Sequence, residues 1–174
     1  MKRVAVLGSA GSGKTTLAVE LGQRTGLPVI HLDRLYWGPD WTPTPDDAWE
    51  AVNREVAAGD TWIIDGNYSR TMDIRLARAD TVVFLDRPRL VCIWNVTRRW
   101  LVHRGRSRPD MGAGLNEKLD LEFLRWVWDF PNRSRPAMLE RFAALPAGTH
   151  VAHLTSPRAA RDWLTGIGPA GGPA

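Results

Sequence analysis

The glycine-rich stretch at residues 8–16, Gly-Ser-Ala-Gly-Ser-Gly-Lys-Thr-Thr, constrains the fold more than any other part of this 174-residue chain. It fits the pattern G-x-x-x-x-G-K-[ST], with an apolar run at 4–7 before it and a helix-compatible run at 17–21 after it. Strand, glycine loop and helix is the context that a phosphate-binding loop (P-loop) requires. Backbone N–H groups of such a loop surround a phosphate, and the helix N-terminus adds a partial positive charge. We therefore predict a nucleotide-binding loop rather than a glycine-rich turn without a ligand.

The pattern also predicts a role for each residue of the loop. Lys14 is expected to reach the β- and γ-phosphate oxygens and is a candidate catalytic residue, and the Thr15 hydroxyl is expected to ligate Mg²⁺. The predicted ATP-binding residues are Gly8, Ser9, Ala10, Gly11, Ser12, Gly13, Lys14, Thr15 and Thr16.

Short apolar runs alternate with helical patterns along the rest of the chain. Strands are predicted at 4–7, 27–32, 61–64, 81–85 and 149–154. Helices are predicted after the P-loop, from an N-cap at Thr44 to Gly59, over 70–79, from Pro88, from about 116 with an interruption at Pro131, from about Pro136 and after Ser156. This alternation predicts a three-layer α/β domain on a mostly parallel sheet. It covers 1–165, and the Gly- and Pro-rich residues 166–174 are expected to form a disordered tail.

Three acidic residues, Asp33, Asp65 and Asp86, each follow a predicted strand. Ligands of parallel α/β sheets bind beyond the carboxyl ends of the strands, so these side chains are expected to lie beside Gly8. Asp65 is predicted to hold Mg²⁺ through water, with helix capping as its alternative. Asp33 is a candidate base for an acceptor hydroxyl, although a salt bridge to Arg34 or a turn cap fits the pattern too. Asp86 is read as a helix cap.

Arginine dominates the basic residues: of 23, only Lys2, Lys14 and Lys118 are Lys. Arg residues concentrate between 98 and 118 among Gly and Pro, which predicts a mobile Arg-rich lid that neutralises charge on a γ-phosphate. A solvated basic loop is the alternative. The candidate catalytic arginines are Arg99, Arg104, Arg108 and, beside the expected helix break, Arg133.

Six of the nine Trp residues are assigned to two groups. Trp37 and Trp41, with Tyr36, follow Asp33 in a stretch expected to be irregular, where they are placed to wall an acceptor pocket. The others on helical apolar faces are predicted to be core: Trp49, Trp94, Trp126 and Trp163. One face of the helix after Pro88 is predicted to be its inner side: Leu90, Val91, Trp94, Thr97 and Leu101. The single cysteine, Cys92, is predicted to be a small core residue.

Composition excludes several classes of protein. The chain is 44% hydrophobic and 24% charged, as globular proteins are, and carries a net charge of +4. No apolar run approaches the roughly 20 residues that span a bilayer, and the N-terminus leads directly into the first strand. The histidines show no zinc-ligand spacing. We expect a cytoplasmic monomer or dimer without a membrane partner.

Four runs together carry a resemblance to a known group: 8–16, His31-Leu32-Asp33-Arg34-Leu35-Tyr36-Trp37 with Trp41, 62–68, and 126–130. Over nearly the whole chain, to about Leu164, the sequence resembles the FlaR-type DNA topology modulation proteins, a bacterial group of adenylate kinase-related P-loop proteins. More broadly it is similar to the nucleoside monophosphate kinase-like fold. That resemblance implies a five-stranded parallel sheet of order 2-3-1-4-5, a mobile Arg lid, and an Mg²⁺-phosphate site at Asp65-Gly66.

The sequence departs from adenylate kinases after Asp65-Gly66. Those enzymes continue with Phe-Pro-Arg, whereas this chain continues with Asn67-Tyr68-Ser69, so a typical AMP-acceptor signature is missing. The position of Asp33 instead resembles small-molecule kinases of the same fold. The sequence thus favours an ATP-dependent phosphotransferase acting with Mg²⁺ on a small-molecule or nucleotide acceptor. A nucleotide-dependent DNA-associated protein and a plain ATPase are the alternatives, and no helix-turn-helix, zinc module or basic arm supports nucleic-acid binding.

Overall fold

A parallel sheet forms the centre of the structure, a computed structural model that describes residues 1–103 and 120–168. The strands are β1 (Arg3–Gly8), β2 (Val29–His31), β3 (Trp62–Asp65), β4 (Thr81–Leu85) and β5 (His150–Leu154). The helices are α1 (Lys14–Thr25), α2 (Leu32–Tyr36), α3 (Asp46–Ala58), α4 (Met72–Leu76), α5 (Arg89–His103), α6 (Leu121–Arg133), α7 (Arg135–Ala143) and α8 (Pro157–Thr165). A 3₁₀ turn covers Pro39–Trp41.

All strand pairs are parallel, and the order is β2-β3-β1-β4-β5. The predicted three-layer fold and its strand order are therefore confirmed. The register aligns Val6 with Asp65 on one side and with Val83 on the other. Because all strands run the same way, the P-loop, Asp33 and Asp65 emerge at the same edge of the sheet.

Residues of β1 alternate between two apolar cores, as the two-residue period of a strand requires. Ala5 and Leu7 belong to the core under α3, α4, α6 and α7, while Val4 and Val6 face the core under α1 and α8. All four residues of β3 are buried, as its unbroken apolar run predicted. The sheet is thus covered on both faces, and only its edges and strand ends are open to ligands.

Local structure departs from the sequence predictions around Asp33. The second strand ends at His31, and residues 32–36 form the short helix α2, so Asp33 lies in a helical turn rather than at a strand end. Thr44 is not the N-cap of α3: its hydroxyl donates to the carbonyl oxygen of Tyr36 at 2.8 Å, and Pro45 takes the cap position. The aromatic stretch is therefore folded back on itself, which a one-dimensional pattern could not show.

Two helix boundaries also differ from the predictions. Pro131 does not interrupt its helix, because the Ser134 N–H still donates to the Phe130 carbonyl oxygen at 3.0 Å and carries α6 past the proline. The break comes at Ser134. Helix α4 covers only Met72–Leu76 of the predicted 70–79.

The predicted inner face of α5 is wrong. Leu90 is 67% exposed, Trp94 67% and Leu101 61%, whereas Cys92 and Val96 are fully buried. The reason is the P-loop, because a Cβ at Gly11 would lie only 2.4 Å from the Cys92 carbonyl oxygen. Such a close backbone approach admits only small side chains on the contacting face.

The other tryptophans assigned to the core divide as well. Trp49 is buried and Trp163 packs against the α1/α8 core, as predicted, but Trp126 is 41% exposed. Trp126 lies on the side of α6 that borders the cleft described below, not the side that faces the sheet. At the C-terminal end, Ile167 packs against the α1/α8 core, and residues 169–174 of the predicted tail lie outside the described residues. Within the described ranges no helix has the length and apolarity needed to cross a bilayer.

Candidate active site

A cleft of about 1790 Å³ opens at the carboxyl edge of the sheet. The P-loop and α1 form its floor, α2 and the 3₁₀ turn form one wall, and α5 and α6 form another. Its lining includes Lys14, Thr15, Asp33, Asp65 and Arg99, so the structure gathers most of the predicted site residues in one place.

The P-loop has the backbone geometry of a phosphate cradle. Gly8, Gly11 and Gly13 have φ values of 145°, 75° and 96°, which L side chains rarely adopt. A Cβ at Gly8 would lie 2.5 Å from the Leu85 carbonyl oxygen, so β4 approaches the loop as closely as α5 does. The buried Ser12 hydroxyl has no hydrogen-bond partner in the described residues. The glycine-dependent loop directly precedes the N-terminus of α1, the part of a helix where an anion binds best.

Lys14 begins α1, and its ammonium lies over the loop, donating from Nζ to the Ser9 carbonyl oxygen at 2.9 Å. Burial lowers the pKa of Lys14, and the charge of Arg99 acts in the same direction. The carboxylates of Asp65 and Asp33 oppose this shift. The site thus brings two cations and two carboxylates into mutual electrostatic range, and an anionic ligand is attracted to the cationic side.

Thr15 and Asp65, the two predicted magnesium ligands, are in direct contact. The Thr15 hydroxyl donates to Asp65 Oδ2 at 2.8 Å, and His31 Nδ1 lies 3.1 Å from the same oxygen. Asp65 lines the cleft, and its Oδ1 is buried and has no hydrogen-bond partner among the described residues. An orphaned carboxylate oxygen beside a threonine hydroxyl is a donor set that suits a hard cation shared with a phosphate. No group of three or more acidic, His or Cys side chains in the described part is arranged to hold a metal ion by itself, and Mg²⁺ held mainly by phosphate and water needs none.

Asp33 projects into the cleft from the first turn of α2. The Tyr68 hydroxyl donates to its Oδ1 at 2.6 Å. Burial raises the pKa of Tyr68, and the neighbouring Asp33 charge and this hydrogen bond raise it further. Tyr68 therefore remains a proton donor at any physiological pH, and it fixes the orientation of the Asp33 carboxylate.

Aromatic rings line the same cleft as Asp33. Trp37 and Trp41 line the cleft with their centroids 5.5 Å apart, and Tyr36 packs edge-on against Trp37 at 4.7 Å. Trp41 has a φ of 61°, a left-handed value that is unusual for a bulky residue and recurs at binding sites. Trp37 and Trp41 therefore lie in the same cleft as Asp33, and their role as the wall of an acceptor pocket stays a prediction.

Sequence reasoning gave no role to Asn67, which links the P-loop to the turn after β3. Its Nδ2 donates to the Gly8 carbonyl oxygen at 2.7 Å, and its Oδ1 accepts from the Gly8 N–H at 3.1 Å. Tyr68 and His31 were also missed as partners of the two carboxylates. The position of Asn67 and Tyr68 directly after Asp65-Gly66 was the one signal in the sequence that pointed to them. Their hydrogen-bond partners lie 59 and 35 residues away along the chain, so the contacts themselves could not be predicted.

The remaining candidates do not all reach the cleft. Arg99 and Arg98 line it from α5, whereas Arg133 is exposed at the end of α6 and is not part of its lining. Arg104 and Arg108, with most of the predicted lid, lie outside the described residues.

Asp86, predicted to be a helix cap, is instead held by ionic contacts. The Arg135 Nε donates to its two oxygens at 3.0 and 2.9 Å, and His153 Nε2 lies 2.7 Å from Oδ2. Asp86 therefore ties β4 to α7 and β5, and it does not cap α5.

Comparisons with known proteins agree with this fold. The family model described as isopentenyl transferase matches residues 1–42, which include the P-loop, α1 and Asp33. No curated protein matches the chain. The structure is similar to shikimate kinase from Acinetobacter baumannii in complex with shikimate, with 17% identity and a TM-score of 0.61, covering 96% of this chain and 90% of that one.

Two further solved structures are similar over the full length. A gluconokinase from Sinorhizobium meliloti has 17% identity and a TM-score of 0.52, covering 96% of this chain and 93% of that one. Shikimate kinase from Bacteroides thetaiotaomicron has 17% identity and a TM-score of 0.51, covering 95% of each chain. At this level of identity the similarity establishes the fold, that of P-loop kinases.

Proposed function

We propose that this chain is an ATP-dependent phosphotransferase that moves the γ-phosphate of Mg-ATP to a hydroxyl group of a small-molecule acceptor. One observation carries the proposal: Asp33, oriented by Tyr68, opens into the same cleft as the P-loop and the Thr15–Asp65 pair. An ATPase can also use a carboxylate, to position the attacking water, but it needs no aromatic surface in the same cleft. An organic acceptor makes use of both the carboxylate and the rings of Trp37 and Trp41, which favours a kinase.

The proposed roles follow from the geometry. The P-loop amides and Lys14 hold the β- and γ-phosphates, and Thr15 and Asp65 hold Mg²⁺, which neutralises phosphate charge when bound. Asp33 accepts the proton of the acceptor hydroxyl as its oxygen bonds to the γ-phosphorus. The bond from that phosphorus to the β,γ-bridging oxygen breaks, and ADP leaves. Arg99 is placed on the cation side of the site to stabilise the charge that develops during transfer.

The acceptor pocket suggests the chemistry of the acceptor. Trp37 and Trp41 present flat apolar surfaces, and Asp33 presents a hydrogen-bond acceptor, so the pocket suits a hydroxylated ring or chain with an apolar face. The similarity to kinases named for shikimate and gluconate supports hydroxylated small acids or sugars as the first compounds to try. The missing Phe-Pro-Arg signature argues against AMP.

Coupled ADP release in the presence of Mg-ATP tests the proposal. The panel contains nucleosides, nucleoside monophosphates, sugars and small hydroxy acids, and a prenyl diphosphate with a nucleotide, which the match over 1–42 suggests. Each compound is assayed with wild type, Asp33→Asn and Asp47→Asn, a control that changes an exposed carboxylate in the first turn of α3.

We expect one acceptor to stimulate ADP release and Asp33→Asn to lower the stimulated rate about a hundredfold or more, as loss of a general base does. Asp47→Asn should leave the rate unchanged. If an acceptor stimulates ADP release and Asp33→Asn does not lower the stimulated rate, the kinase proposal stands but Asp33 is not its general base. ATP binding without stimulation by any compound, together with salt-sensitive DNA binding that ATP modulates, would replace the kinase by the DNA-associated alternative.

A further inference from the structure

Arg75, in α4, is a buried cation that the proposed mechanism does not use. Only 1% of the residue is exposed, and burial lowers the pKa of its guanidinium to about 10. Burying a charge is costly unless the charge is bound on all sides, so a buried arginine requires a reason. Its acceptors show what that reason is.

The guanidinium of Arg75 donates hydrogen bonds to the turn that follows β3. Its Nη2 donates to the carbonyl oxygens of Asn67 at 2.6 Å and Gly66 at 3.2 Å. Its Nη1 donates to Asn53 Oδ1 at 2.5 Å, and Thr71 provides two longer contacts. Asn53 is itself buried in α3 and donates to the Trp49 carbonyl oxygen at 2.8 Å. Arg75 thus connects the turn to a fixed point in the core.

The turn itself is strained. Gly66 has a φ of 142° and Tyr68 a φ of 39°. A left-handed backbone at a bulky residue is unfavourable and persists only where surrounding contacts hold it. The two carbonyl groups that Arg75 holds directly precede Tyr68, so its guanidinium is placed to hold the backbone in this conformation.

The same turn serves both halves of the cleft. Asn67 holds both backbone polar groups of Gly8 in the P-loop, and Tyr68 holds the carboxylate of Asp33. One backbone conformation therefore sets the nucleotide loop and the candidate base at the same time.

We infer that Arg75 is a positioning residue for the candidate base: it fixes the turn at 66–68 so that the Tyr68 hydroxyl meets Asp33. The functional meaning rests on the proposed role of Asp33, but the positioning itself can be measured without any substrate. Removing the guanidinium fork should separate Tyr68 from Asp33 even when the chain remains folded.

Nuclear magnetic resonance of tyrosine labelled with ¹³C at Cζ reads this contact directly, because the chain has only two tyrosines, Tyr36 and Tyr68. Tyr68→Phe assigns the two signals. Asp33→Asn then defines the shift of the Tyr68 signal when its carboxylate partner is lost.

We expect Arg75→Lys, which keeps the charge but not the fork, to move the Tyr68 signal most of the way to its position in Asp33→Asn. Two controls in the same region should leave the signal in place. Arg78→Lys changes an exposed arginine that donates to the Ala58 carbonyl oxygen, and Leu76→Ala destabilises α4 without removing a hydrogen bond to the turn. A folded Arg75→Lys variant with the wild-type Tyr68 signal overturns the inference.

If Arg75→Lys does not fold, Asn53→Ala provides the test, because it removes the acceptor that anchors Arg75 and leaves the arginine in place. A partial shift of the Tyr68 signal supports the inference, and an unchanged signal overturns it. These outcomes are separate from the fate of the proposed function. If the Tyr68 signal shifts in the variant but the wild-type protein phosphorylates no compound, Arg75 positions Tyr68 and the proposed kinase activity is refuted. If the signal does not shift but the wild-type protein is an active kinase, the activity stands and the role of Arg75 is refuted.

Discussion

Replacing Gly11 by alanine tests the P-loop geometry more sharply than any other single change. Gly11 has a φ of 75°, and alanine in a left-handed conformation costs about 1–2 kcal/mol. Its Cβ would also lie 2.4 Å from the Cys92 carbonyl oxygen and 2.9 Å from Val96 Cγ2. Relieving such an overlap costs about 1–3 kcal/mol more. The free energy of unfolding should therefore fall by about 2–5 kcal/mol, the sum of these two costs.

Gly148→Ala separates the two contributions. Gly148 has a φ of 101°, but a Cβ there meets nothing within 4 Å, and the residue lies outside the cleft lining. This variant should lose only the conformational cost of about 1–2 kcal/mol. The comparison between the two variants isolates the contact between the P-loop and α5.

Urea unfolding measures the stabilities, and titration calorimetry with Mg-ATP measures the nucleotide affinities. Gly11→Ala must move either the loop or α5, because its nearest neighbour is backbone, so we expect an ATP affinity at least tenfold weaker than that of wild type. Gly148→Ala should bind ATP as wild type does. Equal stabilities and equal ATP affinities for Gly11→Ala and Gly148→Ala would refute the close approach of α5 to the loop.

Two further predictions concern stability. Burial acts to raise the pKa of Asp80, but hydrogen bonds from the Arg3 N–H, the Thr81 hydroxyl and the Lys2 N–H, with the charge of the N-terminus, outweigh it, and the pKa of the folded state is lowered. A carboxyl group whose pKa is lowered by folding stabilises the protein above its unfolded pKa and loses that effect as the pH falls through the folded value. Asp80→Asn should thus cost about 1 kcal/mol at pH 7 and little at pH 2, as urea titrations at both pH values can check. Trp49→Ala should lower the free energy of unfolding by about 3–5 kcal/mol because Trp49 is buried. Trp94→Gln should change the free energy of unfolding by less than about 0.5 kcal/mol because Trp94 is exposed. Equal losses of stability in the two variants would contradict the orientation of α5.

The elements that local patterns determine could be predicted from the sequence. The P-loop has its own spacing rule, and the unbroken apolar run of β3 marks a strand buried on both faces. Parallel connectivity then places Asp65 and the P-loop at one edge, which explains why the Thr15–Asp65 contact was predictable.

The parts that the sequence did not reveal depend on contacts between distant residues. The apolar stripe of α5 contains Leu90, Trp94 and Leu101, and ordinary helix patterning assigns it to the core. The P-loop backbone approaches the opposite side so closely that the small residues Cys92 and Val96 face inward instead.

The turn at 66–68 was hidden for the same reason. Nothing local indicates that Tyr68 has a left-handed backbone or that a buried arginine holds it. Polar residues directly after Asp65-Gly66 were a usable signal, but their partners could be identified only in three dimensions.

The double hydrogen bond between Asn67 and Gly8 has a thermodynamic consequence for the proposed enzyme. One turn contacts both the nucleotide loop, through Asn67, and Asp33, through Tyr68, so the two halves of the cleft share a structural element. Binding linkage is reciprocal, so any factor by which ATP tightens the acceptor must equal the factor by which the acceptor tightens ATP. For two substrates bound in the two halves of the cleft, the turn at 66–68 is the structural link through which such coupling would pass, with Asn67 on the side of the nucleotide loop and Tyr68 on the side of Asp33.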